Sequence, residues 1–493
     1  MEASLFRLNG IRFGSNRSWN KWLGGLALIS LGGLILIWPL PSLICLAALI
    51  MLAGFLIRPY AALITTILLI GFECFTLHYL SAEYSHGYGL VYFIGPLGLL
   101  CWGLARLAGV TPPYKSTKLD LPLAVCCITG AISLSWSRYW LDGLHIVIFT
   151  ILSYSIYLLI SALNSKPRDL ERLFWLYFGL GNLTVILTVA TFFFGYSKLY
   201  FLFDHFYFSI NILQFKGTRH TLTGVMGVAK AISGILNVSI FCGLTLLCTR
   251  VRRSSKGLIF ISLLAMLFIH TLTLSRLETM GLFFGWLTFA YLNPQWRNAR
   301  IPRHLLVAAS FLVVILGLLV MLSSFYNVSE LLARLGGQED TIPSAGYRFS
   351  AIQGRSEHSA FALGSIWETG GLGAGAGGIM RGFDPTLMLQ SPTLHLSFLT
   401  DHGYGLLSLM LMGWIMLNLV AELRWALRNC PDPRYRLFIV GVCSFLMVYG
   451  TAGIADHIFY IAEMWILLGF AAAAVKGARY LQASPPDEIR SLT

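Results

Sequence analysis

Apolar runs long enough to cross a bilayer follow one another through this chain almost without interruption, and nothing else constrains its fold so strongly. KWLGGLALISLGGLILIWPL begins at Lys21, and FLVVILGLLVML at Phe311 is nearly as long. A hydrocarbon core takes about 20 apolar residues of helix, and the backbone polar groups inside it must be satisfied within the segment. The pattern predicts an all-α, polytopic transmembrane helix bundle. Composition agrees: 56% of the 493 residues are hydrophobic and 12% charged, against roughly 25% charged in soluble domains.

The run limits predict about fourteen spans, at 22–39, 42–57, 60–80, 88–105, 119–136, 143–163, 172–195, 223–248, 257–274, 277–292, 304–323, 396–421, 435–453 and 457–475. With the N-terminus in the cytoplasm, 25 of the 35 Lys and Arg residues fall in cytoplasmic segments. The other ten, among them Arg219, Arg276, Arg334, Arg348, Arg355 and Arg381, fall outside or within spans. This is the positive-inside pattern. It accounts for the net charge of +13 without a nucleic-acid partner. It also places both termini in the cytoplasm. The nine cysteines lie almost entirely in apolar runs, with no CxxC pair and no Cys/His ligand spacing. Neither a disulfide framework nor a metal site is indicated.

One stretch of about 70 residues cannot sit in hydrocarbon. It divides the chain into a bundle at 1–323, an extracytoplasmic loop at 324–395, and further spans with a short tail at 396–493. A loop so long in a compact protein is commonly functional, and Phe349, Phe361, Trp367 and Phe383 argue that it folds. Within it, SEHSAFALGSIWET places Ala360, Leu363 and Trp367 at i, i+3 and i+7, a short amphipathic helix ended by Gly370 and Gly371. The following GGLGAGAGG lacks the GK[ST] of a phosphate loop and reads as a tight turn.

Ionisable residues at membrane depth are functional candidates by default. Arg219 lies in QFKGTRHTLTG before the 223–248 span, and Arg276 in HTLTLSRLETMG between two short spans, with Glu278 two residues on. In SPTLHLSFLTDHGYG, Ser391 reads as an N-cap and Pro392 as the first helical residue, which sets His395 in the first turn and His402 on the same face. A helix N-terminus disfavours the imidazolium, so His395 tends to the neutral form that a general base requires. Arginine forks suit phosphate. Together they point to metal-free transfer from a phosphate-activated donor to a hydroxyl. At an outer membrane face, that donor would be a lipid-linked diphosphate.

These residues resemble the O-antigen ligase and O-antigen polymerase superfamily of bacterial envelope glycosyltransferases. The resemblance rests on Arg219, Ser275-Arg276, the glycine run Gly371–Gly378 and His395, with Arg355 similar to a further family arginine. It covers roughly residues 210 to 420. It implies a GT-C-like helical fold in the inner membrane, with the large loop periplasmic. It implies an undecaprenyl-diphosphate-linked glycan as donor and a glycan or lipid A–core hydroxyl as acceptor, with no cofactor and inversion at the anomeric carbon. Arg219 and Arg276 would hold the diphosphate and His395 would act on the acceptor, with Arg355, Arg348 and His402 supporting. Polymerase is the leading expectation and ligase the alternative. A lipid-linked oligosaccharide flippase is the competing class, though the two halves of the chain show none of the similarity common in transporters.

Overall fold

The computed structural model describes residues 49–70, 75–80, 85–89, 91–111, 113–137, 140–194, 196–203, 206–213, 229–249, 253–272, 276–293, 364, 366–376, 405–452 and 462–484. Its helices are α1 Pro59–Ile70, α2 Val91–Leu107, α3 Asp120–Ser133, α4 Trp140–Leu163, α5 Pro167–Phe194, α6 Ala229–Cys248, α7 Arg253–Leu272, α8 Arg276–Leu292, α9 Leu406–Asn429, α10 Pro433–Ala452 and α11 Ala462–Ala483. Residues 49–57 are also helical. Among the described residues, four helical stretches, Gly143–Leu163, Pro167–Ala190, Leu406–Asn429 and Glu463–Ala483, are long and apolar enough to cross a membrane. The chain is a membrane protein built on a helix bundle. The expected spans at 22–39 and 304–323 lie outside the described residues, as does most of the expected loop.

α11 is the axis of the bundle: nearly nine-tenths of its apolar window is buried. Ala471 to Ala474 present no bulk, so neighbouring backbones approach closely, as small residues allow between membrane helices. The same device joins α8 to α10. Gly281 and Gly285 lie one turn apart, and a Cβ on either would come within 2.8 Å of Val448.

Contacts along the helices fix their directions. Ile160 meets Gly469 and Ser161 meets Lys476, while Tyr154 packs on Trp465, so α4 and α11 run parallel. Glu422 meets Arg479 near the ends of α9 and α11, so α9 is parallel too. Gly95 abuts Ile156 and Gly98 abuts Leu159, so α2 follows α4. α10 runs the other way, with Tyr435 on Ala473 and Tyr449 on Glu463. Glu171 and Arg434 pair at the starts of α5 and α10. The bundle therefore has two ends. One collects the starts of α2, α4, α6, α8, α9 and α11 and the finishes of α3, α5 and α10.

A four-stranded antiparallel sheet adds to the expected all-helical architecture at that end. β1 Phe75–Leu80 and β2 Ser85–Gly89 form one hairpin, β3 Tyr196–Phe203 and β4 Phe206–Leu213 another, in the order β2-β1-β4-β3. β1 and β4 join the hairpins, Phe75 opposite Ile210 and Tyr79 opposite Phe206. The sheet corrects the span expected at 60–80. Its helix stops at Ile70, and FTLHYL, rich in aromatic and β-branched residues, continues as a strand. The 396–421 span is corrected as well: α9 begins at Leu406, after Gly405 at φ 51°.

The opposite end holds the basic loops. The buried Lys476 amine donates to the Ser161 carbonyl and hydroxyl at 2.7 Å each and sits 4.1 Å from the centre of the Tyr114 ring. Thr117 donates from its N–H and hydroxyl to Asp120 at 2.9 and 3.0 Å, and the Tyr157 hydroxyl donates to the same carboxylate. Burial raises the Tyr114 hydroxyl above its ordinary range and pushes the Cys430 thiol up to about 11. Cys430 is thus protonated and inert at neutral pH.

Candidate functional site

At the sheet end, α6, α8, α10 and α11 meet around two carboxylates in the bundle interior. Glu278 stands in the first turn of α8 and Glu463 in the first turn of α11. They are 3% and 4% exposed, a burial that would be prohibitive without compensation. Each sits at a helix N-terminus, where the macrodipole favours negative charge. Each also receives a designed donor. Asn237, fully buried on α6, donates from Nδ2 to the Glu278 side chain at 2.8 Å and to the Glu278 carbonyl at 3.2 Å. The Tyr449 hydroxyl donates to Glu463 Oε2 at 2.6 Å.

Gly234 makes the cluster continuous. A Cβ there would lie 2.8 Å from Tyr449 Oη and 3.4 Å from Glu463 Oε2, so only glycine lets α6 pass against that pair. Tyr177 of α5 is fully buried nearby, its carbonyl accepting from Ser239 at 2.9 Å. Its hydroxyl and Asn237 Oδ1 have no hydrogen-bond partner among the described residues. The cluster ties α6 to α8 and α10 to α11 at the sheet end of the bundle. No group of three or more His, Cys, Asp or Glu side chains able to hold a metal converges among the described residues.

The glycine run docks at the same end. Gly370 N–H reaches the Trp367 carbonyl at 3.1 Å and Gly371 N–H the Ile366 carbonyl at 2.8 Å, a Schellman stop with Gly370 at φ 63° and Gly371 at φ 91°. The expected glycine terminus of the loop helix is thus present, with Ile366 buried and Trp367 88% exposed. Beyond it, Ala376 is held from both sides. Its N–H donates to Ser133 Oγ at 3.1 Å, and its carbonyl accepts from Ser137 Oγ at 2.7 Å. Leu406 N–H donates to the Gly371 carbonyl at 3.1 Å. Gly373 N–H is taken by Thr369 Oγ1 at 2.8 Å. These bonds make the run a fitted turn that joins the α3–α4 corner to the start of α9.

Of the residues expected at a site, Arg276 is the first residue of α8, at the sheet end and two residues before Glu278. Arg219, Arg348, Arg355, His395 and His402 lie outside the described residues. Asn237, Tyr449 and Glu463 were not foreseen. The signal for Glu463 was a lone acid in IAEMWILLGF, read as part of a span.

No family model matches this chain, and no curated protein does. A chain from a solved structure described as "Structural coordination of polymerization and crosslinking by a peptidoglycan synthase complex" aligns with 74% of this chain and 98% of its own length, at 14% identity and a TM-score of 0.40. A likeness at that identity and score decides neither fold nor activity.

Proposed function

We propose that this protein is a membrane glycosyltransferase that moves an oligosaccharide from undecaprenyl diphosphate to a glycan hydroxyl at the outer face of the inner membrane. Polymerisation of repeat units is the leading reaction and transfer to lipid A–core the alternative. The supporting observation is convergence. Arg276 opens α8, the glycine run docks, and α6, the helix that follows Arg219, begins, all at one end of the bundle. The opposite end carries Lys115, Lys118, Lys476 and Arg479, as a cytoplasmic end would.

In this reading Arg219 and Arg276 hold the diphosphate, since guanidinium forks match phosphate oxygens and keep their charge. His395 takes the acceptor hydroxyl's proton on a ring nitrogen. The acceptor oxygen bonds to the anomeric carbon from the face opposite the leaving group. The bond from that carbon to the diphosphate oxygen breaks, and its electron pair departs with undecaprenyl diphosphate. Arg348, Arg355 and His402 support this arrangement.

The buried Glu278 and Glu463 favour a second reading, ion-coupled transport of the same lipid-linked substrate, because intramembrane carboxylates mark ion pathways. A transfer assay separates the two. Purified protein is incubated with undecaprenyl-diphosphate-linked repeat units and EDTA, with and without lipid A–core. A ladder from donor alone marks a polymerase, and product only with lipid A–core marks a ligase. Arg276→Ala and His395→Ala are expected to abolish both. No product with a matched donor sinks the transferase reading, and full activity in the His395 variant removes the base role given to His395.

A further inference from the structure

We infer that Asn237 and Glu278 are positioning residues that hold Arg276 at the diphosphate site. The inference rests on the transferase reading above and adds to it a mechanism for fixing the site.

Arg276 is the first residue of α8. The first turn of a helix lacks intrahelical partners for its N–H groups and frays readily. An arginine carried on a fraying turn would sample many positions, whereas binding a diphosphate requires its guanidinium in one. Here the turn is stapled. One amide nitrogen of Asn237 reaches both the backbone carbonyl and the carboxylate of Glu278, at 3.2 and 2.8 Å. Asn237 is fully buried and Glu278 nearly so. The bonds are therefore shielded from water and stronger than they would be at a surface. Asn237 also stands on α6, the helix that follows the segment bearing Arg219. A single amide thus ties the helix downstream of one proposed diphosphate ligand to the turn that carries the other.

The test is a titration of purified full-length protein with undecaprenyl diphosphate, with ligand-free thermal unfolding followed in parallel. Arg276→Ala is expected to weaken binding at least about tenfold. Asn237→Leu and Asn237→Asp, which remove the donor, are expected to weaken it about tenfold as well. The double variant Asn237→Asp with Glu278→Gln reverses donor and acceptor between the two side chains but leaves the residue-278 carbonyl without its donor, so it is expected to recover only part of the affinity lost in Asn237→Asp. Mere support of the fold would move the unfolding midpoint without following this pattern of affinity. If Arg276→Ala weakens binding while both Asn237 variants bind like wild type, the positioning role is wrong and the diphosphate reading stands. A double variant that binds no better than Asn237→Asp alone would overturn the part given to the Glu278 side chain. If wild type binds no undecaprenyl diphosphate, or Arg276→Ala binds it normally, the diphosphate reading falls and the inference falls with it. Should Asn237→Leu not fold, Asn237→Asp and the double variant decide the matter.

Discussion

The Tyr449 hydroxyl donates to Glu463 Oε2 at 2.6 Å, tying the last turn of α10 to the first turn of α11 inside the bundle. Both side chains are buried, at 2% and 4% exposure. A hydrogen bond to a charged group is worth about 1.5–3 kcal/mol, and its loss leaves a buried carboxylate short of a donor. Tyr449→Phe keeps the ring and removes only that donor. It is expected to lower stability by about that amount, read as a fall in the unfolding midpoint of the detergent-solubilised protein. An unchanged midpoint would show that the bond contributes nothing to the fold.

The glycine run makes a graded prediction. Gly375 has φ 79°, and a Cβ there would lie 2.6 Å from Ser137 Cα. Gly370 has φ 63° but open space around its Cβ position. Left-handed backbone costs a residue with a Cβ about 1–2 kcal/mol. Gly370→Ala meets that strain alone, whereas Gly375→Ala adds a collision with the α3–α4 corner. Amide exchange across 366–376 is expected to rise strongly in Gly375→Ala and only slightly in Gly370→Ala. Equal exchange in the two would mean that the run does not dock on Ser133 and Ser137.

The bundle was legible because membrane helices are written locally, in the length of each apolar run. α4, α5 and α10 fall within a few residues of the spans expected for them. The sheet was not legible, because the pairing of β1 with β4 joins residues more than 120 positions apart, such as Phe75 and Ile210. Seen alone, FTLHYL looks like the tail of a span and YSKLYFLF like an aromatic loop. The start of α9 was not legible because no feature of the sequence pattern marks Leu406; the left-handed backbone of Gly405, φ 51°, precedes it. Arg276 stood out because a charge interrupts an apolar stretch. Glu463 carried the same signal, but its importance comes from Tyr449 and Gly234, which only the packing of three helices brings to it.

Strand pairing makes a topology prediction. Hydrogen-bonded strands outside a bilayer must share one side of it, so the β1–β2 and β3–β4 hairpins must face the same compartment. Single cysteines introduced as Ser85→Cys and Lys198→Cys are expected to react with a membrane-impermeant maleimide from one side. Lys118→Cys, in the loop before α3, is expected to react from the other. Labelling of Ser85→Cys and Lys198→Cys from opposite sides would break the sheet and the end-to-end polarity together.

Two ion pairs at the basic end differ in depth and should differ in energy. Arg479 Nη2 meets both Glu422 oxygens, at 2.8 and 2.7 Å; Glu422 is only 3% exposed, though Arg479 itself is 39% exposed. Arg434 meets Glu171 at 3.0 Å, but there both side chains are about 30% exposed. Removing Arg479 strands the buried Glu422 charge, at a cost reduced by the exposure of Arg479 from the about 3–5 kcal/mol of a fully buried pair. Breaking a solvated pair costs about 0–1 kcal/mol. Arg479 also lies 5.4 Å from the centre of the Trp425 ring and donates to the Ser116 carbonyl at 3.3 Å, so its loss also loosens α9 and the loop before α3. Arg479→Ala is therefore expected to lower the unfolding midpoint far more than Arg434→Ala. Arg479→Ala combined with Glu422→Leu should recover much of the loss, because a packed apolar pair replaces the stranded carboxylate. Equal effects of the two single variants would show that water reaches Glu422.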